Sequence, residues 1–306
     1  MRKIKTIVKT IITTLIFVLI YANMDLIVSK VDYVYRKYLQ PDLKQDLKDN
    51  EYKKNKDYKF VQIRNDYKLK NKNDIINSIY TYIDAGWEEY TLICDVEYLE
   101  CINDFKLVVD DKNLMSDINN FVHPFNSFYK LNSFISENGK IVLKKENKYS
   151  KDFIDKINKK TDEIFNELYD KNKTDEENIK VFHDYIINNT KYDVANKDAN
   201  LNNPSSTAYG VLYNNLGICS GYTDTMAIFL DKMNIPNYRI SSTTHTWNLV
   251  YVNNTWKHLD LTWDDPVTNT GKDEIIHSFF LVDYNKILKD GNSDHLFNLD
   301  RYKEAY

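Results

Sequence analysis

The sequence has almost no excess of either charge. Its 306 residues include 41 Lys and Arg and 45 Asp and Glu, a formal net charge of −4, and the two signs are interspersed along the chain. Proteins that bind nucleic acid present a concentrated basic surface to the phosphates. The composition therefore argues against a nucleic-acid partner.

Histidine and cysteine are also scarce. The six histidines show neither H-E-x-x-H nor C-x-x-C spacing, so the sequence predicts no metal ion and no other cofactor. Of the three cysteines, Cys94 and Cys101 could pair and leave Cys219 free. If both lay on one helix, however, their Cα atoms would be about 10 Å apart, too far for a disulfide. Free thiols at all three positions are the expectation.

One long apolar run stands near the N-terminus. Basic residues within the first nine positions precede the apolar residues 10–22, a pattern typical of a secretory signal. The tract 10–28 approaches the roughly 20 residues that span a bilayer, although Asp25 interrupts it and no clean small-residue cleavage site follows. Residues 1–30 are thus predicted to be a signal peptide or, by slight preference, a membrane anchor. The preceding basic residues place the rest of the chain outside the cytoplasm.

The remainder of the chain has the composition of a folded protein. Hydrophobic residues make up 42% of the sequence, which is enough for a packed core. Residues 31–59 are polar and lack apolar periodicity, which predicts a linker, either a stalk or an edge of the first folded unit. The length that remains exceeds one small domain, so two units are predicted, at residues 60–150 and 151–306.

Residues 60–150 are predicted to form a small accessory α/β unit. Apolar spacing indicates strands at 60–63 and 90–94 and a helix at 74–85. Asn138-Gly139 lies between two extended runs and indicates a β-hairpin.

Residues 151–306 begin with helices. Apolar residues recur at helical spacing over 152–169. Thr174-Asp-Glu-Glu177 has the form of a capping box that starts the next helix. Residues 277–282 predict a further strand. Between these elements lies the segment 215–266, which carries the candidate chemistry.

Cys219 stands in the run Asn-Leu-Gly-Ile-Cys-Ser-Gly-Tyr-Thr (residues 215–223). Apolar residues then recur at helical spacing as far as Met233, which places Cys219 at or just before a helix N-terminus. Unpaired backbone N–H groups and the positive end of the helix dipole stabilise a thiolate there. Since the thiolate is the nucleophilic form of cysteine, Cys219 is a candidate nucleophile. Its backbone N–H is a candidate oxyanion donor, and a second donor is not identified.

His245 and Asp260 lie on the two strands of a predicted hairpin. Thr246–Val252 and residues 255–262 both alternate in the manner of strands, and Asn253-Asn254 supplies the turn. A two-residue loop puts His245 and Asp260 on one face as diagonal neighbours, roughly 7 to 8 Å apart. An imidazole and a carboxylate can close that gap. An odd change in loop length would put them on opposite faces.

Each member of this trio suits one step of thiol catalysis. Cys219 would attack an acyl carbon, His245 would take and return a proton, and Asp260 would hold the ring in one tautomer. Taken singly, such residues are more often ordinary packing residues, but the ordered set favours catalysis. Asn248 and Tyr222 are further candidates for positioning the substrate or an oxyanion. The tryptophans nearby are interpreted as core packing of the sheet: Trp247, Trp256 and Trp263.

Three motifs, in this order, resemble the catalytic core of bacterial transglutaminase-like proteins. They are Gly-Ile-Cys-Ser-Gly-Tyr-Thr (217–223), Thr-His-Thr-Trp-Asn-Leu-Val-Tyr-Val (244–252) and Trp-Lys-His-Leu-Asp-Leu-Thr-Trp-Asp-Asp-Pro (256–266). The similarity extends upstream through residues 180–193 and covers about half of the chain. One departure is Ser220, where a glutamine is expected in many relatives. The change bears on substrate contacts and leaves the trio intact.

The resemblance implies an α+β fold with a papain-like core, in which the helix of the nucleophile packs on an antiparallel sheet that carries the other two residues. In this chain the core is preceded by the accessory α/β unit and the N-terminal hydrophobic anchor. The implied activity is thiolate attack by Cys219 on a glutamine or peptide amide, through a thioester that an amine or water resolves.

The implied substrates are proteins or peptides, including those of the cell surface or cell wall. The resemblance does not separate cross-linking from peptidase activity, because the family contains both. The alternative from another class is a non-catalytic surface module, for binding or structure, on the same fold. The intact Cys, His and Asp argue against that alternative.

Overall fold

The computed structural model describes residues 2–136, 138–197, 203–265 and 275–306. The α-helices in these ranges are α1 (Arg2–Ala22), α2 (Met24–Val34), α3 (Lys72–Asp84), α4 (Cys101–Asp110), α5 (Lys112–Asn120), α6 (Lys151–Leu168), α7 (Asp175–Asn189), α8 (Cys219–Lys232) and α9 (Tyr284–Asp290). The strands are β1 (Lys68–Leu69), β2 (Glu89–Cys94), β3 (Phe128–Ile135), β4 (Lys140–Asn147), β5 (Lys191–Tyr192), β6 (Leu216–Gly217), β7 (Asn237–Ser241), β8 (Thr246–Val252) and β9 (Thr255–Leu259).

Two larger sheets organise the fold. One has the strand order β1-β2-β4-β3, with β1 parallel to β2 and the other pairs antiparallel. The other has the order β7-β8-β9 and is antiparallel throughout. The helices pack on sheets whose strand pairs are mainly antiparallel, so the predicted α+β class is confirmed.

The four-stranded sheet forms within residues 60–150. The predicted helix at 74–85 is α3, the predicted strand at 90–94 is β2, and the hairpin around Asn138-Gly139 is β3 with β4. Helices α4 and α5 were not predicted, although both have a buried apolar side.

The strand predicted at residues 60–63 is wrong. Val61 is fully buried, but side chains bind the backbone of this segment where a neighbouring strand was expected. Gln62 N donates to Asn77 Oδ1 at 3.0 Å, and Ile63 N donates to Asp57 Oδ1 at 2.8 Å. The apolar pattern reflected burial of an irregular segment.

The three-stranded sheet is buried on both faces, and the residues of β8 alternate between them. Trp247 and Leu249 join an apolar cluster formed mainly by residues of the accessory unit. Val250 and Val252 join a second cluster with α6, α7 and α8. The two predicted units therefore share this sheet as part of a common core.

A buried ion cluster also connects the units. Asp224, on α8, is 1% exposed. Its Oδ1 accepts from Arg239 at 2.6 Å, and its Oδ2 accepts from Lys148 at 2.7 Å and from the Tyr149 hydroxyl at 2.6 Å. Because Lys148 and Tyr149 follow β4, the cluster fastens the end of the accessory hairpin to α8.

The N-terminal helices stand apart from this core. All described residues of α1 are exposed, and Ile4–Ala22, with a mean hydropathy of 1.9, is long and apolar enough to cross a membrane. A signal sequence has the same properties. After α2, Arg36 donates to Cys94 O at 2.9 Å and Lys37 pairs with Glu97 at 2.6 Å. The residues that follow α2 thus contact the accessory unit.

The expectation of three free thiols is wrong, because Cys94 and Cys101 form a disulfide with their Cα atoms 5.8 Å apart. The expected Cα separation of about 10 Å applies only if both cysteines lie on one helix. In the structure Cys94 ends β2 and Cys101 begins α4, so the intervening turn brings them together. Cys219 is the remaining free cysteine.

The second unit has the predicted arrangement of a helix on an antiparallel sheet. The helix predicted at 152–169 is α6, and the Thr174 capping box at the start of α7 is present. Helix α8 packs on β7 and β8. The strand predicted at 277–282 is wrong, because that segment makes one isolated bridge, from Val282 to His258.

Candidate active site

Cys219 is the first residue of α8, as its sequence context predicts. Ile218 is extended (φ −103°, ψ 176°) and caps the helix. The N–H groups of the first turn lack partners within a helix, which keeps the N–H of Cys219 as a candidate oxyanion donor. Ile218 N donates to Ser205 O at 2.8 Å, which fixes the entry of the chain. A Cβ at Gly221 would lie 2.4 Å from that same oxygen, so this close approach requires glycine.

The hairpin has the predicted register. Val252 pairs with Thr255, and the pairing continues to Asn248 and Leu259. Asn253 and Asn254 have φ of 52° and 61°, as a two-residue type I′ turn requires. Strand β9 is shorter than predicted and ends at Leu259.

Asp260 therefore lies just beyond the hairpin. Its N–H donates to Phe279 O at 3.1 Å, and its Oδ1 accepts from the N–H groups of Thr262 at 3.0 Å and Trp263 at 3.3 Å. These bonds turn the other carboxylate oxygen toward His245.

The fold brings all three predicted residues together. His245 Nε2 lies 2.6 Å from Asp260 Oδ2, and the Cys219 side chain is near enough to the ring to raise the pKa of His245. Since Nε2 faces the carboxylate, Nδ1 is the ring atom left for the thiol. Asp260 is 1% exposed, whereas His245 and Cys219 are only partly buried, so Cys219 is partly accessible to solvent.

Asp260 sets the charge of the His245 ring. Burial would lower the pKa of His245, but the Asp260 carboxylate and hydrogen bonds to Asp260 and Cys219 raise it to about 10. Burial would likewise raise the pKa of Asp260, but His245 and His295 hold it well below its usual range. At neutral pH the ring beside the thiol is thus an imidazolium, the partner that stabilises a thiolate.

His295 was not predicted from the sequence as part of the site. Its Nε2 lies 2.8 Å from Asp260 Oδ2, the same oxygen that binds His245. His295 ends a 3-10 turn, Asn292–His295, and no motif or periodicity marks it. Its role follows only from the fold, which returns this late segment to Asp260.

The tryptophans pack as predicted. The Trp247 ring stacks on His245 at 5.7 Å between centroids and its Nε1 donates to His258 Nδ1 at 2.9 Å. Trp263 lies 6.5 Å from His245. Trp256 packs at the other end of the hairpin against Tyr238. Trp247 and Trp263 thus pack beside the His245 ring.

The other polar candidates are engaged elsewhere. Asn248 Nδ2 donates to Thr223 O at 3.0 Å, and the Tyr222 hydroxyl donates to Asp265 Oδ2 at 2.5 Å. Trp247 Nε1 is likewise bound to His258. Each of these three donors has a partner within the fold, and the Cys219 N–H remains the candidate oxyanion donor.

Among the described residues, two groups of side chains have donor atoms close enough to hold a metal ion, with the atoms of each group within 4.8 Å of one another: His183, Asp184 and His277, and His245, Asp260 and His295. In the first group, Lys180 Nζ lies 2.7 Å from Asp184 Oδ2 and 2.6 Å from His277 Nε2, so an ammonium already fills the place of a cation. In the second group, the donor atoms of His245 and His295 are hydrogen-bonded to Asp260. Spacing along the chain could not reveal either group, because distant segments supply their members.

Two cavities differ in their distance from Cys219, His245 and Asp260. One of about 480 Å³ lies at the C-terminal end of α8, lined by residues that include His123, Asp231 and Pro236, and so at the opposite end from Cys219. A smaller cleft of about 150 Å³ is lined by Ser220 and Thr246 together with Tyr129 of the accessory unit. The chemistry favours the smaller cleft, because its lining adjoins the nucleophile.

Residues 162–261, a range that contains Cys219, His245 and Asp260, match the family model of the transglutaminase-like superfamily. A solved structure described as a TGase is 17% identical over 49% of this chain and 47% of that protein, with a TM-score of 0.32. A candidate cysteine protease from Cytophaga hutchinsonii is 14% identical over 44% of this chain and 61% of that protein, with a TM-score of 0.29. The chain thus spans less than two thirds of either structure. No curated protein matches it.

Proposed function

We propose that this chain, whose residues 162–261 match the transglutaminase-like superfamily, is a cysteine-dependent enzyme that transfers or hydrolyses acyl groups of proteins or peptides. The superfamily supports a cysteine-dependent enzyme in general. One observation carries the proposal for this chain. His245 Nε2 lies 2.6 Å from the buried carboxylate of Asp260, and Cys219 is close enough to the same ring to raise the pKa of His245.

In the acylation half of the reaction, Cys219 Sγ attacks the carbonyl carbon of a glutamine side chain or peptide bond. The carbonyl oxygen takes up negative charge and faces the N–H of Cys219. His245 then passes its proton to the departing nitrogen, the C–N bond breaks, and ammonia or an amine leaves. The acyl group remains on Cys219 as a thioester.

In the second half, a primary amine or water attacks the thioester. His245, now neutral, takes the proton of the nucleophile, the C–S bond breaks, and the original charge state returns. An amine gives a cross-link or an aminated product, and water gives deamidation or peptide hydrolysis. Asp260 keeps the imidazole oriented throughout, because the ring is fixed at Nε2.

Ammonia release from a glutamine peptide, with and without an added primary amine, tests the reaction. Incorporation of the amine identifies a transferase, ammonia without incorporation a deamidase, and new peptide termini a peptidase. Cys219→Ala is the matched control, since it removes the sulfur and leaves the helix start intact. If the wild type and Cys219→Ala behave alike on every substrate, the protein is the non-catalytic module of the alternative.

We also propose that the folded part lies outside the cytoplasm, held by or released from the N-terminal helix. The apolar span Ile4–Ala22 and the Cys94–Cys101 disulfide support this location, because disulfides persist in oxidising compartments. A membrane-impermeant maleimide should label Cys219 in intact spheroplasts that carry the full chain, with Cys219→Ala as the unlabelled control. Labelling that appears only after lysis would contradict the location.

A further inference from the structure

Asp260 binds two histidines through one oxygen. His295 Nε2 lies 2.8 Å and His245 Nε2 lies 2.6 Å from Asp260 Oδ2. His295 comes from a part of the chain beyond the family match at residues 162–261. The contacts of Asp260 therefore include a side chain that the matched region does not supply.

The hydrogen-bond partners of His295 determine its protonation. Its Nε2 faces the carboxylate of Asp260, and its Nδ1 faces the carbonyl oxygen of Gly291 at 2.8 Å. A carbonyl oxygen and an ionised carboxylate can only accept hydrogen bonds. Both ring nitrogens are thus placed to donate, which is the arrangement of an imidazolium.

The surroundings of His295 suit a buried cation. The side chain has no solvent exposure, and three aromatic rings enclose it. The ring of Phe279 is parallel to it with centroids 5.5 Å apart, and Trp247 and Trp263 lie at 4.7 Å and 4.8 Å. Aromatic rings attract cations placed near their faces.

Few other charges reach the ring. The neighbouring ionisable groups are Asp260, His245 with its ring centroid 5.2 Å away, and His258, whose protonation His295 opposes. Asp294 is adjacent in the chain but accepts from Thr244 Oγ1 at 3.0 Å. Asp260 is thus the anion that His295 contacts directly.

We propose that His295 is a positioning residue, a buried imidazolium that serves as the fixed counter-ion of Asp260. This inference rests on the proposed function and deepens it. With His295 in place, the charges balance in two pairs, Asp260 with His295 and the Cys219 thiolate with the His245 imidazolium. Asp260 can then orient His245 while the proton of that ring stays available for transfer.

Alkylation of Cys219 by iodoacetamide across pH tests this role. The full chain in detergent is suitable, because the other two cysteines are joined in the disulfide. His295→Gln keeps an amide donor and removes the positive charge. Loss of that charge makes a thiolate at Cys219 less favourable, so the onset of alkylation should move to higher pH by about one unit.

His258→Gln is the matched control. His258 is also buried, at 1% exposure, and its ring binds Ala305 O and Trp247 Nε1, with no bond to Asp260. Its alkylation onset should stay at the wild-type pH. If folded His295→Gln shows the wild-type onset, or if His258→Gln shifts as far, His295 is an ordinary core residue and the proposal fails.

A spectrum of the wild-type protein covers the case in which His295→Gln does not fold. The ¹⁵N resonances of the histidine rings report directly whether each nitrogen is protonated. One ring, whose signals disappear in any folded variant at position 295, should be protonated on both nitrogens at pH 8. A single protonated nitrogen would overturn the proposal. Neither measurement needs a substrate, so both stand apart from the outcome of the enzyme assays.

Discussion

Asp260 and Asp224 are two buried carboxylates with similar surroundings and different consequences. Each is 1% exposed, and each accepts hydrogen bonds from two basic side chains. For Asp224 they are a guanidinium and an ammonium, and for Asp260 they are two imidazoles. Burial would raise the pKa of both carboxyls, yet their partners lower it.

The partners explain what each carboxylate can do. Arginine and lysine keep their protons at any ordinary pH, so the Asp224 cluster is a static fastening between the accessory hairpin and α8. An imidazole can release and regain a proton near neutral pH. Only the Asp260 cluster therefore holds a group that can serve chemistry, and Cys219 stands beside that cluster alone.

Asp260→Asn should have the largest effect on activity. The amide cannot hold the His245 imidazolium, and in a Ser-His-Asp triad the corresponding change costs about 10⁴ in turnover. We expect a loss of about 10³-fold or more in ammonia release, with alkylation of Cys219 also slowed at neutral pH. Activity within tenfold of the wild type would remove Asp260 from the triad.

Asp224→Asn should affect stability instead. It leaves Arg239 and Lys148 buried without a charged partner, which costs about 3 to 5 kcal/mol of unfolding free energy. Denaturant titration measures the loss, and alkylation of Cys219 in the folded protein should keep the wild-type rate. A loss of reactivity equal to that of Asp260→Asn would end the distinction between the two clusters.

The pH dependence of stability should differ at the two ends of the range. Because the folded pKa of His245 is raised to about 10, its contribution is complete below its ordinary value of 6.5 and is lost as pH rises through 10. The folded pKa of His258 is lowered to about 4, so its contribution is lost as pH falls from 6.5 toward 4.

Denaturant titrations at several pH values check both signs. His245→Gln should flatten the alkaline fall, by a few kcal/mol at most. His258→Gln should flatten the fall between pH 6.5 and 4 and leave the alkaline fall in place. If His245→Gln leaves the alkaline fall as steep as before, the ion pair with Asp260 contributes nothing to folding.

Removal of the disulfide should have the smallest effect. The bond joins residues seven apart in the sequence, and a loop this short is expected to contribute about 2 kcal/mol. The double variant Cys94→Ala, Cys101→Ala should unfold at lower denaturant and alkylate at Cys219 with unchanged kinetics. A change in those kinetics would show that the accessory unit controls the site.

The positions of Cys219, His245 and Asp260 could be predicted because local rules determine them. A helix start is visible as apolar periodicity after Cys219, and an Asn-Asn turn fixes the register between the two strands. Both inferences span fewer than about 20 residues each, the scale on which periodicity and turn chemistry act. Their meeting in space then followed from the family resemblance.

His295 and the disulfide could not be predicted in the same way. His295 reaches Asp260 through a long return of the chain, with no repeat or motif to mark it. The Cys94 and Cys101 expectation failed because it assumed one helix where a strand, a turn and a new helix occur. Residues 60–63 failed for a related reason, since Asn77 and Asp57 side chains bind their backbone in place of a strand.

The contacts made by residues 52–58 determine where the chain can be shortened. Tyr52 stacks on His123 at 5.0 Å, Tyr58 packs on Phe121, and Lys54 Nζ lies 3.0 Å from Asp231. A shortened form that starts at residue 60 would lack these side chains and expose the surface that they cover. The exposed surface would favour aggregation. A form that starts at residue 40 would lack the apolar helices α1 and α2 and would keep these three contacts. It is therefore the better choice for crystallisation.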